Sequence, residues 1–314
     1  MTRSTISRIL SALLMGSLLL AVGCGAEKTA ADTTGDAPLD VVASVSFLAD
    51  IAQNVAGDRF DVHSLVPLET DPHSFDPTPA DLREVAGADL MIINGRGLEG
   101  PLLRTLENAG GEATVVDASA DLQSRSPQPG EPPLEASETD PHFWLDPVLV
   151  KTYVANIRAA FAKTDPDGAA EYKANAAAYT KRLDELDAWI RSQVATIPAT
   201  SRLLVMNHAS HGYYADEYGF LVVGTVIPSV GTGETPTAKQ LSELTAAIRA
   251  SGANAIFAEV EENPKLAEQI AAETGIVVVD DLLDHSLTEP GGVAPTYIDM
   301  MKFDTRRIVE ALRQ

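Results

Sequence analysis

Short β-branched runs alternate with longer amphipathic stretches from Asp40 to the end of the chain, which leaves few folds open. Strands are predicted at 41–45, 60–66, 90–94 and 113–116, and again at 203–206, 221–226, 255–257 and 276–279. Helices are predicted between and after them, at 47–56, 79–86, 101–109 and 148–162, and then at 212–218, 238–251, 264–273 and 295–312. Strands that alternate with helices form parallel sheets covered on both faces, so two such series predict two α/β lobes, residues 40–164 and 199–314.

One long helix is predicted between the lobes, over residues 165–198. Asp165 and Pro166 are typical of a helix start, and Pro198 ends the segment. An apolar stripe on one face of this helix is formed by Tyr172, Ala176, Tyr179, Leu183, Leu186 and Ile190. A coiled-coil dimer is the alternative explanation of the stripe. Because three to four heptads are marginal for a coiled coil, we favour a helix packed along both lobes of a monomer.

The first 24 residues have the features of an export signal. Arg3 and Arg8 precede an apolar run, 9–22, whose length of about 14 residues is too short to span a bilayer. The run ends in LAVGC at 20–24, which resembles the bacterial lipobox, and Cys24 is the only cysteine of the chain. We expect cleavage of residues 1–23, a lipid on Cys24 and a flexible tether over 24–39. The protein is then exported and lipid-anchored to the outer face of the cytoplasmic membrane, at the cell surface or in the periplasm; a plain signal peptide with an incidental cysteine is the alternative.

Composition excludes several classes of function. The chain has 23 Lys and Arg against 45 Asp and Glu, a net charge of −22, which repels nucleic acid phosphates and favours cationic ligands. A single cysteine excludes an intramolecular disulfide and a cysteine-based zinc site. The sequence contains no HExxH, GxSxG or glycine-rich phosphate-binding motif, so an enzyme is not predicted. The segment 123–140, with four prolines and four acids, is predicted to be an exposed, solvated loop.

Histidines follow the carboxyl ends of predicted strands in both lobes, at the sheet edge where open α/β folds bind ligands. His73 and His142 each lie in an Asp-Pro-His triplet that is followed by an aromatic residue and another Asp-Pro. Proline stiffens the backbone before each imidazole, and the nearby carboxylate can fix the ring tautomer, as metal-binding histidines require. His208 follows the strand 203–206. Of the others, His63 is predicted to be structural, and for His211 packing is favoured over a supporting role beside the metal.

The chain resembles the metal-binding receptors of bacterial ABC importers for zinc and manganese, from about residue 41 to residue 312. The resemblance is carried by DPHSFDPTP (71–79), NGRGLE (94–99), DPHFWLDP (140–147), NHASHGYYA (207–215), ETPTAKQL (234–241) and PGGVAPTYIDMM (290–301). It implies two lobes joined by one helix, a metal site in the cleft between them, an ABC permease as partner, and His73, His142 and His208 as the first three ligands. Zinc receptors of this family often have a histidine-rich loop, whereas the loop 123–140 has none, so no auxiliary zinc-gathering loop is expected.

The fourth ligand depends on the alignment register. In the family it is usually an aspartate followed by serine and an aliphatic residue, and aligning on Ser286 and Leu287 places His285 there. A shift of one residue would place Asp284 there instead. We favour His285 over Asp284.

A site of three or four imidazoles favours Zn²⁺, whereas manganese prefers more oxygen ligands. The expected function is therefore zinc capture and delivery to a permease. The alternatives are a manganese receptor of the same family, an exported zinc-dependent hydrolase, and an adhesin, which no sequence feature supports.

Overall fold

The computed structural model describes residues 38–109, 113–134 and 138–313. The predicted export signal, Cys24 and all but the end of the tether lie outside these residues. Within them, no helix combines the length and the apolar character needed to cross a membrane.

The first sheet has four parallel strands in the order β2-β1-β3-β4. They are β1 (Val41–Ala43), β2 (Val62–Ser64), β3 (Leu90–Ile93) and β4 (Thr114–Asp117). The helices of this half are α1 (Ser46–Ala56), α2 (Pro79–Gly87), α3 (Gly100–Ala109) and α4 (Pro147–Thr164). The strands β1 and β3 read as continuous apolar runs because both faces of the sheet are buried.

The second sheet repeats this arrangement, with four parallel strands in the order β6-β5-β7-β8. Its strands are β5 (Leu203–Met206), β6 (Leu221–Thr225), β7 (Ala255–Glu259) and β8 (Val277–Leu282). Its helices are α6 (Gly212–Tyr218), α7 (Ala238–Ser251), α8 (Lys265–Thr274) and α9 (Tyr297–Leu312). The predicted fold class, two parallel-sheet α/β lobes, is therefore confirmed, with strand and helix ends within a few residues of those predicted.

A single helix, α5 (Ala169–Val194), joins the two halves after a 3₁₀ turn at Pro166–Gly168. Its 26 residues span about 39 Å. The predicted apolar stripe is buried in one hydrophobic core that holds residues of both sheets, and α5 packs on α1 and α4 of the first lobe and on α6 and α9 of the second. The apolar stripe is thus covered by other helices of the same chain, as predicted. Residues 38–313 form one compact unit, and the lobe boundaries at 164 and 199 stay predictions.

Residues 123–134 form a loop without helix or strand, as predicted, and residues 123, 124, 126, 129 and 133 are exposed. The predicted exposure is wrong for Arg125 and Glu131, whose side chains pack against the second lobe or against each other. The Gln128 side chain donates to Asp216 Oδ1 (2.8 Å) and accepts a hydrogen bond from the Val222 backbone N–H (2.9 Å). Arg125 pairs with Glu131 (2.7 Å) and with Asp216 of α6 (2.7 Å), and its side chain is only 8% exposed. Glu131 is buried in this ion pair and is not solvated. We call residues 123–134 the strap, because they tie the first lobe to the second.

Candidate metal centre

Four histidines from four separate loops meet between the two sheets. His73 follows β2, His142 follows β4, His208 follows β5 and His285 follows β8. One ring nitrogen of each lies within 4.8 Å of the corresponding atom of the other three. The Nε2 atom of His142 lies 3.3 Å from that of His73 and 3.3 Å from that of His208. The structure therefore brings together all four histidines that the sequence analysis singled out.

The two Asp-Pro-His triplets form the same local turn. The backbone N–H of His73 donates to Asp71 Oδ1 (2.8 Å), and that of His142 donates to Asp140 Oδ1 (3.1 Å). A short side chain that accepts from the backbone two residues on is typical of an Asx turn. Each aspartate thereby fixes the backbone from which the imidazole projects.

Three of the four imidazoles have a carboxylate beside Nδ1. His142 Nδ1 lies 2.8 Å from Asp140 Oδ1, His208 Nδ1 lies 3.1 Å from Glu259 Oε1, and His285 Nδ1 lies 3.0 Å from Asp284 Oδ1. The contact at His142 is a hydrogen bond, so Asp140 holds the proton on Nδ1 and leaves Nε2 free to bind a metal ion, whereas His208 Nδ1 and Asp284 Oδ1 have no hydrogen-bond partner. The Nε2 atom of His285 has no hydrogen-bond partner, in keeping with that role.

The electrostatics of the site keep most of these rings neutral. Burial, helped by the neighbouring imidazoles, holds the pKa of His73 and of His142 well below the usual value. Burial likewise lowers the pKa of His208 to about 4. His285 differs: burial opposes its charge, but the adjacent Asp284 carboxylate outweighs burial and raises the pKa of His285 to about 10. The ring of His285 therefore has to lose a proton before Nε2 can bind a metal ion.

The loop that holds His285 is fixed by both lobes. The indole N–H of Trp144, in the first lobe, donates to the backbone carbonyl of Asp284 (2.6 Å). The backbone N–H of Leu287 donates to Ser46 Oγ (2.9 Å), and that of Leu283 donates to Asp304 Oδ1 (2.9 Å). Both lobes therefore set the position of the fourth imidazole.

The site is buried but lies at the base of a cleft. His142, His208 and His285 are buried, whereas His73 is half-buried. A cavity of about 740 Å³ opens on His73 and is lined also by Arg96, Pro141 and Glu234. His73 is thus the most exposed of the four imidazoles.

The remaining two histidines lie outside this group of four. His63, on β2, is half-exposed and its Nε2 lies 2.8 Å from Glu84 on the surface. His211 is buried behind the site, where its Nδ1 lies 2.8 Å from Ser210 Oγ and 3.8 Å from Asp284 Oδ2.

The sequence analysis did not identify Glu259 and Glu261, which lie close to His208 and His285 respectively. Both belong to the run EVEE (259–262), of which Glu259 is the last residue of β7 and Glu261 lies two residues beyond it. The signal that could have found them is that a buried apolar strand ends in three acids at the ligand-binding edge of the sheet.

Comparison with known proteins places this arrangement in a family. A family model described as "Zinc-uptake complex component A periplasmic" matches residues 41–311. The chain belongs to this family. The resemblance to metal-binding receptors of ABC importers is thereby confirmed, and with it the predicted location outside the cytoplasm.

Relatives in this family have manganese or zinc in their names. The chain is 36% identical to the manganese-binding lipoprotein MntA of Halalkalibacterium halodurans, over 97% of this chain and 98% of the relative. It is 30% identical to the manganese ABC transporter substrate-binding lipoprotein PsaA of Streptococcus pneumoniae, over 94% of this chain and 96% of that one. The first is named as a metal-binding lipoprotein and the second as the substrate-binding lipoprotein of an ABC transporter, and neither name is that of an enzyme.

Solved structures of the same fold differ in their metal. The chain is similar to the periplasmic zinc-binding protein TroA of Treponema pallidum, with a TM-score of 0.80, 28% identity and coverage of 88% of this chain and 100% of that one. It is also similar to a manganese-bound periplasmic metal-binding protein of Candidatus Liberibacter asiaticus, with a TM-score of 0.74, 26% identity and coverage of 87% and 98%. Proteins of similar structure thus bind different divalent metals.

Proposed function

We propose that this protein captures Zn²⁺ outside the cytoplasm and delivers it to an ABC permease. The proposed ligands are His73, His142, His208 and His285. The observation that supports this set is that one nitrogen of each imidazole lies within 4.8 Å of the others. Four ligand atoms at such separations fit around one ion with bonds of about 2.0–2.1 Å after small movements of the rings.

The type of ligand atom favours zinc over manganese. Zn²⁺ accepts four nitrogen ligands in a tetrahedral site, whereas Mn²⁺ prefers oxygen and six-fold coordination. Four imidazoles also complete the coordination of zinc, so no position remains for the reactive water that a hydrolase needs.

Manganese is the second candidate, because MntA and PsaA are named for manganese. Asp284 is the residue that could change the preference between zinc and manganese. Its carboxylate lies directly behind His285, and a shift of this loop by one residue would replace the imidazole ligand by a carboxylate oxygen.

Competition between the two metals tests the proposal. The metal-free protein is titrated with Zn²⁺ and with Mn²⁺ against a chelator of known affinity for each. We expect one zinc ion per chain, bound at least about 100-fold more tightly than manganese, as the ligand type and the general affinity order both favour. Tighter binding of Mn²⁺ than of Zn²⁺ would contradict the assignment of zinc.

We further propose a monomer anchored by lipid on Cys24, with lobes at 40–164 and 199–314 joined by α5. Substitution of Cys24 by alanine should release the protein from membranes into the soluble fraction. A variant that stays with the membrane would contradict anchoring through this cysteine.

A further inference from the structure

The loop that carries His73 is held from the second lobe by a hydroxyl group. Thr232 follows β6, and its Oγ1 donates to Oδ2 of Asp71 (2.6 Å), which lies in the loop after β2. The other oxygen of the same carboxylate, Oδ1, accepts a hydrogen bond from the backbone N–H of His73 (2.8 Å). One carboxylate therefore joins the second lobe to the turn that presents the first imidazole.

The position of His73 depends on this turn. Each of the other three imidazoles has a carboxylate within 3.1 Å of Nδ1, and His73 is the one ring of the four without such a neighbour among the described residues. It is also the most exposed of the four. Its place is therefore set through the backbone, and the Asx turn keeps its shape as long as Asp71 stays where it is.

The segment that contains Thr232 also covers His73, and we call residues 229–234 the cover loop. Val230 and Gly231 of this loop line the cavity of about 740 Å³ that opens on His73. A Cβ atom added to Gly231 would lie 3.9 Å from His73 Nδ1, so the backbone of the cover loop passes close to the imidazole. The cover loop therefore borders the route between His73 and solvent.

We propose that Thr232 is a positioning residue for metal capture, whose hydrogen bond to Asp71 holds the cover loop over His73. This inference rests on the proposed function, because it concerns the same four imidazoles, but it applies to zinc and to manganese alike. Without the hydrogen bond, both the cover loop and the Asp71 carboxylate are free to move, and a bound ion leaves more readily through the cavity. The hydroxyl thus slows the release of the ion.

A second hydrogen bond crosses the cleft from the same loop of the first lobe. The backbone N–H of Glu69 donates to Ser286 Oγ (2.9 Å), next to His285. This bond does not involve Thr232, so it keeps the loop docked on the second lobe when the hydroxyl is removed. Thr232 is half-buried, and valine has nearly the same shape, so we expect Thr232→Val to fold.

The rate at which Zn²⁺ dissociates tests the proposal. The full chain is loaded with one equivalent of Zn²⁺ and mixed in a stopped-flow instrument with an excess of a chromogenic chelator, and association is measured separately. Thr232→Val should release zinc at least about tenfold faster, because a hydrogen bond to a charged group is lost, while the association rate changes less than about threefold. Thr232→Ser keeps the hydroxyl and should release zinc as the wild type does.

Ser74→Ala is the matched control. Ser74 Oγ donates to the same oxygen, Asp71 Oδ2 (2.8 Å), but Ser74 is exposed and lies in the same loop as Asp71. Its replacement removes a donor without removing a contact between the lobes, so zinc release should stay within about twofold of the wild type. Equal acceleration by Ser74→Ala and Thr232→Val would overturn the inference, and so would unchanged release from Thr232→Val.

Chemical modification of the metal-free protein separates this inference from zinc capture. Diethyl pyrocarbonate acylates neutral imidazoles, and mass spectrometry identifies the modified histidines. In Thr232→Val, His73 should react at least about threefold faster than in the wild type, with the exposed His63 as internal reference. If the wild type binds no zinc, the proposed function fails, whereas a faster reaction of His73 still supports the role of Thr232. Equal reaction rates of His73 in the two proteins would show that Thr232 does not hold the cover loop.

Discussion

Replacement of Arg125 by alanine should destabilise the metal-free protein because the guanidinium compensates buried carboxylates. Its side chain is 8% exposed and pairs with Glu131, which is 3% exposed, and with Asp216, which is 45% exposed. Its Nη1 atom also lies 3.7 Å from Asp140, the carboxylate behind the proposed ligand His142. Removing the arginine leaves Glu131 and Asp140 without their positive partner.

The expected loss follows from the burial of those partners. Breaking a buried ion pair by removing one member costs about 3–5 kcal/mol. We expect the lower end, about 3 kcal/mol, because Asp216 can be hydrated once the pair is broken. At about 2 °C per kcal/mol for a chain of this size, the melting temperature should fall by about 6 °C.

Thermal unfolding followed by circular dichroism at neutral pH measures this loss, and Arg307→Ala is the matched control. Arg307 also pairs with an aspartate, Asp281 (2.8 Å), but the two side chains are 34% and 42% exposed. An exposed pair of this kind contributes about 0–1 kcal/mol, so the control should melt within about 2 °C of the wild type. Equal melting temperatures for the two variants would refute the idea that the strap is held by a buried charge.

Three other outcomes are expected. His285→Ala should weaken zinc binding by orders of magnitude, whereas Asp284→Ala should weaken it only about 10–100-fold, because the His285 ring is then no longer held in place. A zinc titration in which Asp284→Ala causes the larger loss would identify Asp284 as the fourth ligand. Because Asp284 raises the pKa of His285 to about 10, zinc binding at pH 7 should release about one proton from His285, and zinc affinity should increase as the pH rises toward 10. The released proton is taken up by the buffer, so a calorimetric binding enthalpy that is the same in different buffers would contradict this prediction. Because the continuous helix α5 packs on both lobes, metal loading should produce small local movement, and small-angle scattering that showed a lobe rotation of tens of degrees would disprove it.

Local patterns explain why much of the fold could be predicted. The stripe of α5 repeats with the helical period, and most strands are short apolar runs, so both can be recognised without knowledge of distant residues. The turn that presents His73 or His142 is also local, since the aspartate accepts a hydrogen bond two residues along the chain. His285 belongs to the group of four imidazoles, and the choice of His285 over Asp284 as the fourth ligand stays a prediction.

The strap could not be predicted, because its contacts join distant parts of the chain. Arg125 and Gln128 look like loop residues until Asp216 and Val222 are placed opposite them. Prolines and acids in a segment are typical of solvent exposure, and only the tertiary structure shows that Glu131 is buried against Arg125.

Local patterns of residues are enough to predict the order of strands and helices, the two Asp-Pro-His turns and the histidines that follow the strands, because each depends on residues a few positions apart. Only the packing of the whole chain shows which carboxylate lies behind each imidazole and which oxygens remain unpartnered. Glu259 and Asp284 end up beside the rings because β7 and β8 are neighbours in the second sheet, so the loops that follow these strands meet at one edge. Sheet order is set by packing of the whole chain, and no short stretch of sequence records it.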